Sequence, residues 1–98
     1  MEVFNFEKAV ELDPQNYSYL YYLGNAYEDI GEYGKAVETY LKVLSIKPDD
    51  KDTLYDLAEL LIISGYRSDA EKIITKLNPL DKGRASKLAL LMKKTTCH

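Results

Sequence analysis

An internal period of 34 residues constrains this chain more than any other feature of its sequence. When the sequence is shifted by 34 positions against itself, residues of similar size and polarity coincide. The coinciding sets are Pro14 with Pro48, Leu20 with Leu54, Leu23 with Leu57, Gly24 with Ala58, Gly31 with Gly65, Ala36 with Ala70, and Phe6 with Tyr40 and Ile74. Because these residues recur at steps of three and four, the pattern predicts helices rather than strands.

Each unit of the period predicts two helices. Leu20, Leu23 and Tyr27 form the apolar face of a first helix, and Gly31 ends it because glycine tolerates the left-handed conformation at a helix end. A second helix follows until Pro48 stops it. Small residues at Gly24 and Ala58 let the paired helices approach closely. Six helices are predicted, at about residues 2–13, 17–30, 33–46, 51–64, 67–77 and 80–94.

The pattern Leu20-x2-Leu23-Gly24-x2-Tyr27, Ala36-x3-Tyr40, Pro48 resembles the tetratricopeptide repeat family. The resemblance implies an all-α fold, a short α-solenoid of antiparallel helix pairs with about six helices. On this interpretation residues 1–98 form a single domain. It consists of a half repeat (1–16), a repeat (17–50), a shortened repeat (51–79), a terminal helix (80–94) and a tail (95–98).

Composition argues against an enzyme. The chain has one cysteine, Cys97, and one histidine, His98, so the usual metal sites and nucleophile arrangements lack their partners. We expect no catalytic residue, no metal and no cofactor. A lone cysteine favours an intracellular, cytoplasmic protein, and no apolar run reaches the roughly 18 residues that span a bilayer.

The resemblance implies that the first helix of each repeat lines a concave groove that binds extended peptides. Here the groove would be acidic and would contain two tyrosines, which are good anchors because they offer a large area and few rotors. The candidate partner-binding residues are Tyr21, Asn25, Glu28, Asp29, Asp52, Tyr55, Asp56 and Glu59. We expect a protein or peptide partner that is basic or apolar. Residues 1–81 hold all 16 acidic residues and only 8 basic ones, so neither nucleic acid nor membrane is expected.

The two ends of the chain suggest an alternative role. The first helix lacks the partner that would precede it in a repeat, and the last helix is more apolar than a terminal helix usually is. Residues 82–98 hold five basic residues and no acidic one. Self-association through the ends is therefore an alternative, with Val3, Phe6, Val10, Leu88 and Leu91 as candidate contact residues. The same features would arise if the chain were a repeat segment of a larger multisubunit scaffold.

Overall fold

A computed structural model describes residues 2–96 and shows six α-helices. They are α1 (Glu2–Leu12), α2 (Tyr17–Asp29), α3 (Tyr33–Ile46), α4 (Lys51–Ile63), α5 (Arg67–Leu77) and α6 (Lys82–Thr96). The described residues contain no strand, so the predicted all-α class is confirmed. Each predicted helix boundary lies within two residues of the observed one. Cys97 and His98, on which the metal and cysteine arguments rest, lie outside the described residues.

The chain divides into two compact units, residues 1–48 and 49–98. In the first unit α2 packs against both α1 and α3. In the second unit α4, α5 and α6 all pack against one another. The boundary falls directly after Pro48, where the second helix of the full repeat has ended. Each unit therefore contains one complete helix pair and one additional helix.

Glycine turns join the two helices of each pair in the same way. Gly31 and Gly65 have φ of 82° and 88°, a left-handed conformation that glycine adopts without a steric penalty. In the first unit the N–H of Glu32 donates to the carbonyl of Tyr27 at 2.9 Å. In the second, the N–H of Tyr66 donates to the carbonyl of Leu61 at 2.8 Å. These bonds satisfy carbonyl groups that have no hydrogen-bond partner within the last turn of the helix. Both turns therefore have the structure that the period predicts.

The core of the first unit depends on a close contact between α2 and α3. The ring of Tyr40 is fully buried and lies against the backbone of α2 at Gly24. A Cβ atom at Gly24 would lie 2.5 Å from Cε1 and 2.7 Å from Cδ1 of Tyr40. Only glycine leaves room for this ring, so the small residue that the sequence pattern predicted has a steric reason.

The core of the second unit takes in residues that the sequence suggested would be open. Leu88 is 1% exposed and Met92 is 7% exposed, because α6 packs on both α4 and α5. The expectation that Leu88 offers a contact surface at the end of the chain is therefore corrected. Leu91 is half-buried, and the exposed apolar residue of this helix is Leu90.

A buried tyrosine ties α1 to α2. The hydroxyl of Tyr27 donates a hydrogen bond to the Glu7 carboxylate, and Lys35 Nζ lies 5.7 Å from the centre of the Tyr27 ring. Burial, followed by the hydrogen bond to Glu7 and its charge, raises the pKa of Tyr27 to about 12. The neutral phenol is thus the form that the folded unit stabilises.

Replacing Gly24 by alanine tests the close contact at Tyr40. Alanine gains up to about 1 kcal/mol of helix propensity over glycine. The clash with a buried ring costs typically about 1–3 kcal/mol, so after the propensity gain we expect a net loss of up to about 2 kcal/mol in urea unfolding. Gly34→Ala is the matched control, because nothing lies within 4 Å of a Cβ there, and it should not destabilise. In a Tyr40→Leu background Gly24→Ala should cease to destabilise; an unchanged cost there would contradict the account.

The Tyr27 hydrogen bond predicts a specific loss of stability at alkaline pH. Because the pKa is raised from 10.0 to about 12 on folding, the contribution is complete below pH 10. It is lost as the pH rises from 10 toward 12. Unfolding free energy measured across this range should fall more steeply for the wild type than for Tyr27→Phe. Tyr33→Phe, at an exposed tyrosine, is the control and should follow the wild type. If the free energy of unfolding fell with pH equally steeply in all three proteins, the proposed contribution of Tyr27 would be contradicted.

Candidate functional site

The α2 face carries the first group of predicted partner-binding residues. Tyr21, Asn25 and Glu28 stand at i, i+4 and i+7 and are half-buried, whereas Asp29 is exposed. The helix begins at a side-chain cap, where Asn16 Oδ1 accepts from the N–H groups of Ser18 and Tyr19 at 3.1 and 3.3 Å. The predicted stripe therefore exists, and it borders the core rather than standing fully in solvent.

The hydroxyl of Tyr40 forms hydrogen bonds with two residues of the α2 face. Its hydroxyl oxygen lies 2.6 Å from Asn25 Oδ1 and 2.9 Å from Glu28 Oε1, and its single proton is shared between these two acceptors. The ring itself is fully buried, so this hydroxyl is where the core of the unit meets the face. Hydrogen bonds to a charged group are stronger than neutral ones, which favours a fixed position for the Glu28 carboxylate. Sequence reasoning identified Tyr40 as a core residue but missed its hydrogen bonds to the α2 face.

An aromatic cluster extends the α2 face toward α1. The rings of Tyr21 and Tyr22 meet edge to face at 5.8 Å, and the Tyr22 ring stacks on Phe6 at 5.9 Å. Tyr21 also lies 6.1 Å from the Tyr40 ring. Tyr22 is 51% exposed, so it offers much of its ring to a ligand. Sequence reasoning missed Tyr22, although the period places it at the position of Asp56, which was itself a candidate; its spacing of three residues from Asn25 was a second available signal.

The α4 face carries the second group. Asp52 is exposed, and Tyr55, Asp56 and Glu59 are half-buried along the same side of the helix. The period places Tyr55 at the position of Tyr21. Three carboxylates therefore lie on the same side of α4 as one tyrosine.

Arg84 of α6 already occupies part of the α4 face. Its Nη1 atom lies 2.8 Å from Asp52 Oδ1, and its Cζ atom lies 5.3 Å from the centre of the Tyr55 ring. Asp81, whose side chain accepts from the backbone N–H of Arg84 at 3.1 Å, also lies 3.4 Å from Arg84 Nε. The hydrogen bond to Asp52 raises the pKa of Arg84 above its ordinary value. No local sequence signal indicated this contact, because Arg84 and Asp52 are 32 positions apart.

The remaining candidate residues lie on α1. Val3, Phe6 and Val10 are half-buried, and the Phe6 ring is partly covered by Tyr22.

Among the side chains that the structure describes, no group of histidine, cysteine and acidic residues could hold a metal ion. Within residues 2–96, no helix is both long and apolar enough to cross a membrane. What the two faces offer chemically is carboxylate acceptors and partly exposed aromatic rings.

Comparison with known proteins places this chain among repeat proteins. A family model described as "Regulator of microtubule dynamics protein 1-3" matches residues 3–66. The protein CTR9 homolog of Arabidopsis thaliana is 40% identical over 77 residues, which cover 76% of this chain and 7% of that protein. The human general transcription factor 3C polypeptide 3 is 27% identical over 81 residues, covering 82% of this chain and 9% of that protein. The chain thus spans less than a tenth of either relative.

The solved structures agree on the fold. A tetratricopeptide repeat protein from Parabacteroides merdae superposes with a TM-score of 0.88 at 22% sequence identity. The match covers 95% of this chain and 37% of that protein. The resemblance seen in the sequence motif is therefore confirmed in three dimensions. The chain has a tetratricopeptide repeat fold and belongs to the family described as regulator of microtubule dynamics protein 1-3.

Proposed function

We propose that this chain is a non-enzymatic protein-interaction module whose α2 face and α4 face each bind a partner segment. The partner segment presents basic and apolar side chains. Tyr21, Tyr22 and Tyr55 provide ring surfaces, and the carboxylates beside them provide acceptors for cationic groups. Aromatic residues with partly exposed rings and few rotatable bonds are common anchors of protein interfaces.

The observation that carries this proposal is the position of Arg84. Its guanidinium lies over the Tyr55 ring at 5.3 Å while it pairs with Asp52 at 2.8 Å. One arginine thus makes both contacts that the α4 face offers, the ring and the carboxylate. An arginine from a partner would be bound by the same combination of cation–π contact and ion pair.

The comparisons support an interaction role, but they do not identify the partner. The names of the similar proteins refer to microtubule dynamics in one case and to transcription in another. What these proteins share with this chain is the repeat segment. The proposed chemistry of the partner therefore rests on the residues of the two faces. It does not rest on the function of any relative.

Truncating the tyrosines should weaken binding of a basic, apolar probe. We expect Tyr21→Ala and Tyr55→Ala each to reduce affinity for a peptide of alternating arginine and leucine by about 5- to 30-fold, the usual effect of an interface anchor. Isothermal titration calorimetry gives the affinities, and thermal melting shows whether each variant is folded. The same peptide with glutamate in place of arginine should bind far more weakly to the wild type.

Tyr33→Ala is the matched control for this experiment. Tyr33 is 46% exposed at the start of α3 and belongs to neither the α2 helix nor the α4 helix, so its loss should leave affinity unchanged. Equal losses for Tyr33→Ala and the two face variants would contradict a specific site. Preferential binding of the glutamate peptide would contradict the proposed partner chemistry.

Removing Arg84 should strengthen binding of the same probe. Arg84→Gln takes the intramolecular guanidinium away from Tyr55 and Asp52, so the α4 face becomes available and more acidic. We expect affinity for the arginine and leucine peptide to rise several-fold at low salt, and the gain to shrink as salt is added. Lys87→Gln removes the same charge from an exposed position of α6 and should have a smaller effect. Equal effects of both variants would show that net charge, and not competition for the face, governs binding.

A further inference from the structure

One side of α6 carries two lysines and a leucine in a line. Lys87, Leu90 and Lys94 stand at i, i+3 and i+7, so they form a single stripe along the helix. All three side chains are exposed, and Leu90 is 60% exposed. We call these three residues the α6 stripe. Arg84 is not part of it, because its guanidinium already contacts α4.

This side of a first helix stays open when further helices follow it. A step of 31 residues aligns α4 with α6, since it pairs the buried residues Leu54, Leu57 and Leu61 with the buried residues Ala85, Leu88 and Met92. The positions equivalent to the α6 stripe are Asp56, Glu59 and Ile63 on α4, and Tyr22, Asn25 and Asp29 on α2. Each of these six residues is exposed or half-buried, although other helices follow both α2 and α4. The exposure of the stripe therefore reflects the side of the helix on which it lies.

The α4 face and the α6 stripe lie on neighbouring helices of the same unit, and α4 and α6 pack against each other. Their N-terminal turns are side by side, because Arg84, the third residue of α6, pairs with Asp52, the second residue of α4, at 2.8 Å. Lys87 follows Arg84 at i+3, so it lies on the side of α6 that reaches α4. A partner segment that lies across the α4 face therefore reaches the stripe next.

The sign of the charge inverts between these two helices. At the equivalent positions α4 has two carboxylates and an isoleucine, whereas α6 has two lysines and a leucine. Among the described side chains neither Lys87 nor Lys94 forms an ion pair. Each helix thus offers charged groups beside an apolar side chain, but the charges are opposite. A ligand complementary to both helices has cationic groups over α4 and anionic groups over α6.

We infer that the partner segment of the α4 face is charge-segregated, with basic and apolar residues on α4 and acidic and apolar residues on the α6 stripe. This inference rests on the proposed function of the α4 face and adds the chemistry of the adjoining part of the partner. The partner's carboxylates pair with Lys87 and Lys94, and an apolar side chain packs on Leu90. A purely basic segment is repelled by the two lysines, so the stripe selects among the basic partners that the α4 face accepts.

Peptides of one composition and different order test this inference. The segregated peptide alternates arginine and leucine in one half and glutamate and leucine in the other, and it is made in both orders because a segment can run in either direction. The even peptide distributes the same arginines and glutamates along its whole length. In calorimetric titrations at low salt, one order of the segregated peptide should bind the wild type about 3- to 10-fold more tightly than the even peptide, the size of effect that two exposed ion pairs produce. The gain should shrink as salt is added.

Reversing both charges of the stripe should abolish this gain. In the double variant Lys87→Glu, Lys94→Glu the segregated peptide should lose its advantage over the even peptide. The arginine and leucine peptide should bind this variant at least as tightly as the wild type. The double variant Lys72→Glu, Lys76→Glu is the matched control, because it changes the net charge equally at exposed positions of α5, and it should retain the gain. All four positions are exposed, so thermal melts should stay close to the wild type.

The possible outcomes separate this inference from the proposed function. If the arginine and leucine peptide binds but neither segregated peptide exceeds the even one, the inference is overturned and the α4 site stands. Loss of the gain in the α5 control as well would show that net charge governs binding, which also overturns it. So would self-association of the wild type without peptide that the stripe variant abolishes, since a second copy would then occupy the stripe. If the arginine and leucine peptide does not bind at all, the proposed function is contradicted and the inference falls with it.

Discussion

The packing of the Tyr40 ring on the backbone of α2 is the contact on which the first unit depends. A side chain at position 24 would overlap the ring, so glycine sets the distance between α2 and α3. The ring is fully buried, yet its hydroxyl reaches Asn25 and Glu28 on the outer face. One residue therefore sets the helix spacing and fixes polar groups of the candidate site, so the core and the site are not independent.

The second unit uses the same period with different chemistry. Ala58 and Ile74 replace the pair Gly24 and Tyr40, so no hydroxyl emerges from the core at this position. The α4 face is organised from the opposite side, by Arg84 of α6 through Asp52 and the Tyr55 ring. A repeat fold keeps its core positions similar and leaves its faces free to differ, which explains how one scaffold carries two distinct surfaces.

The fold was predictable because its determinants are local. Gly31 and Gly65 mark the turns within the helix pairs, and the apolar steps between them define the helix faces. The helix boundaries followed from these signals to within two residues. The α2 stripe of Tyr21, Asn25 and Glu28 was also predictable, because helical spacing alone puts these residues on one side.

The contacts that organise the site were not predictable, because they join distant parts of the chain. The sequence gives no distance between the Tyr40 hydroxyl and Asn25, and a basic residue such as Arg84 looked like part of a solvated terminal helix. The prediction that Leu88 lies on an exposed contact surface was wrong for a related reason. An apolar cluster in α6 shows that some side is covered, but only the packing on α4 and α5 shows which residues are inside.

The most direct test of the interaction role is to map a bound peptide on the isotope-labelled chain by NMR. Backbone amide shifts and the Arg84 side-chain Nε–H shift would be followed while the alternating arginine and leucine peptide is added. The account predicts that the perturbed amides concentrate in α2 and α4, together with the Arg84 side chain as it leaves the Tyr55 ring. Perturbations confined to α5 or spread evenly over all six helices, with Arg84 unchanged, would contradict it.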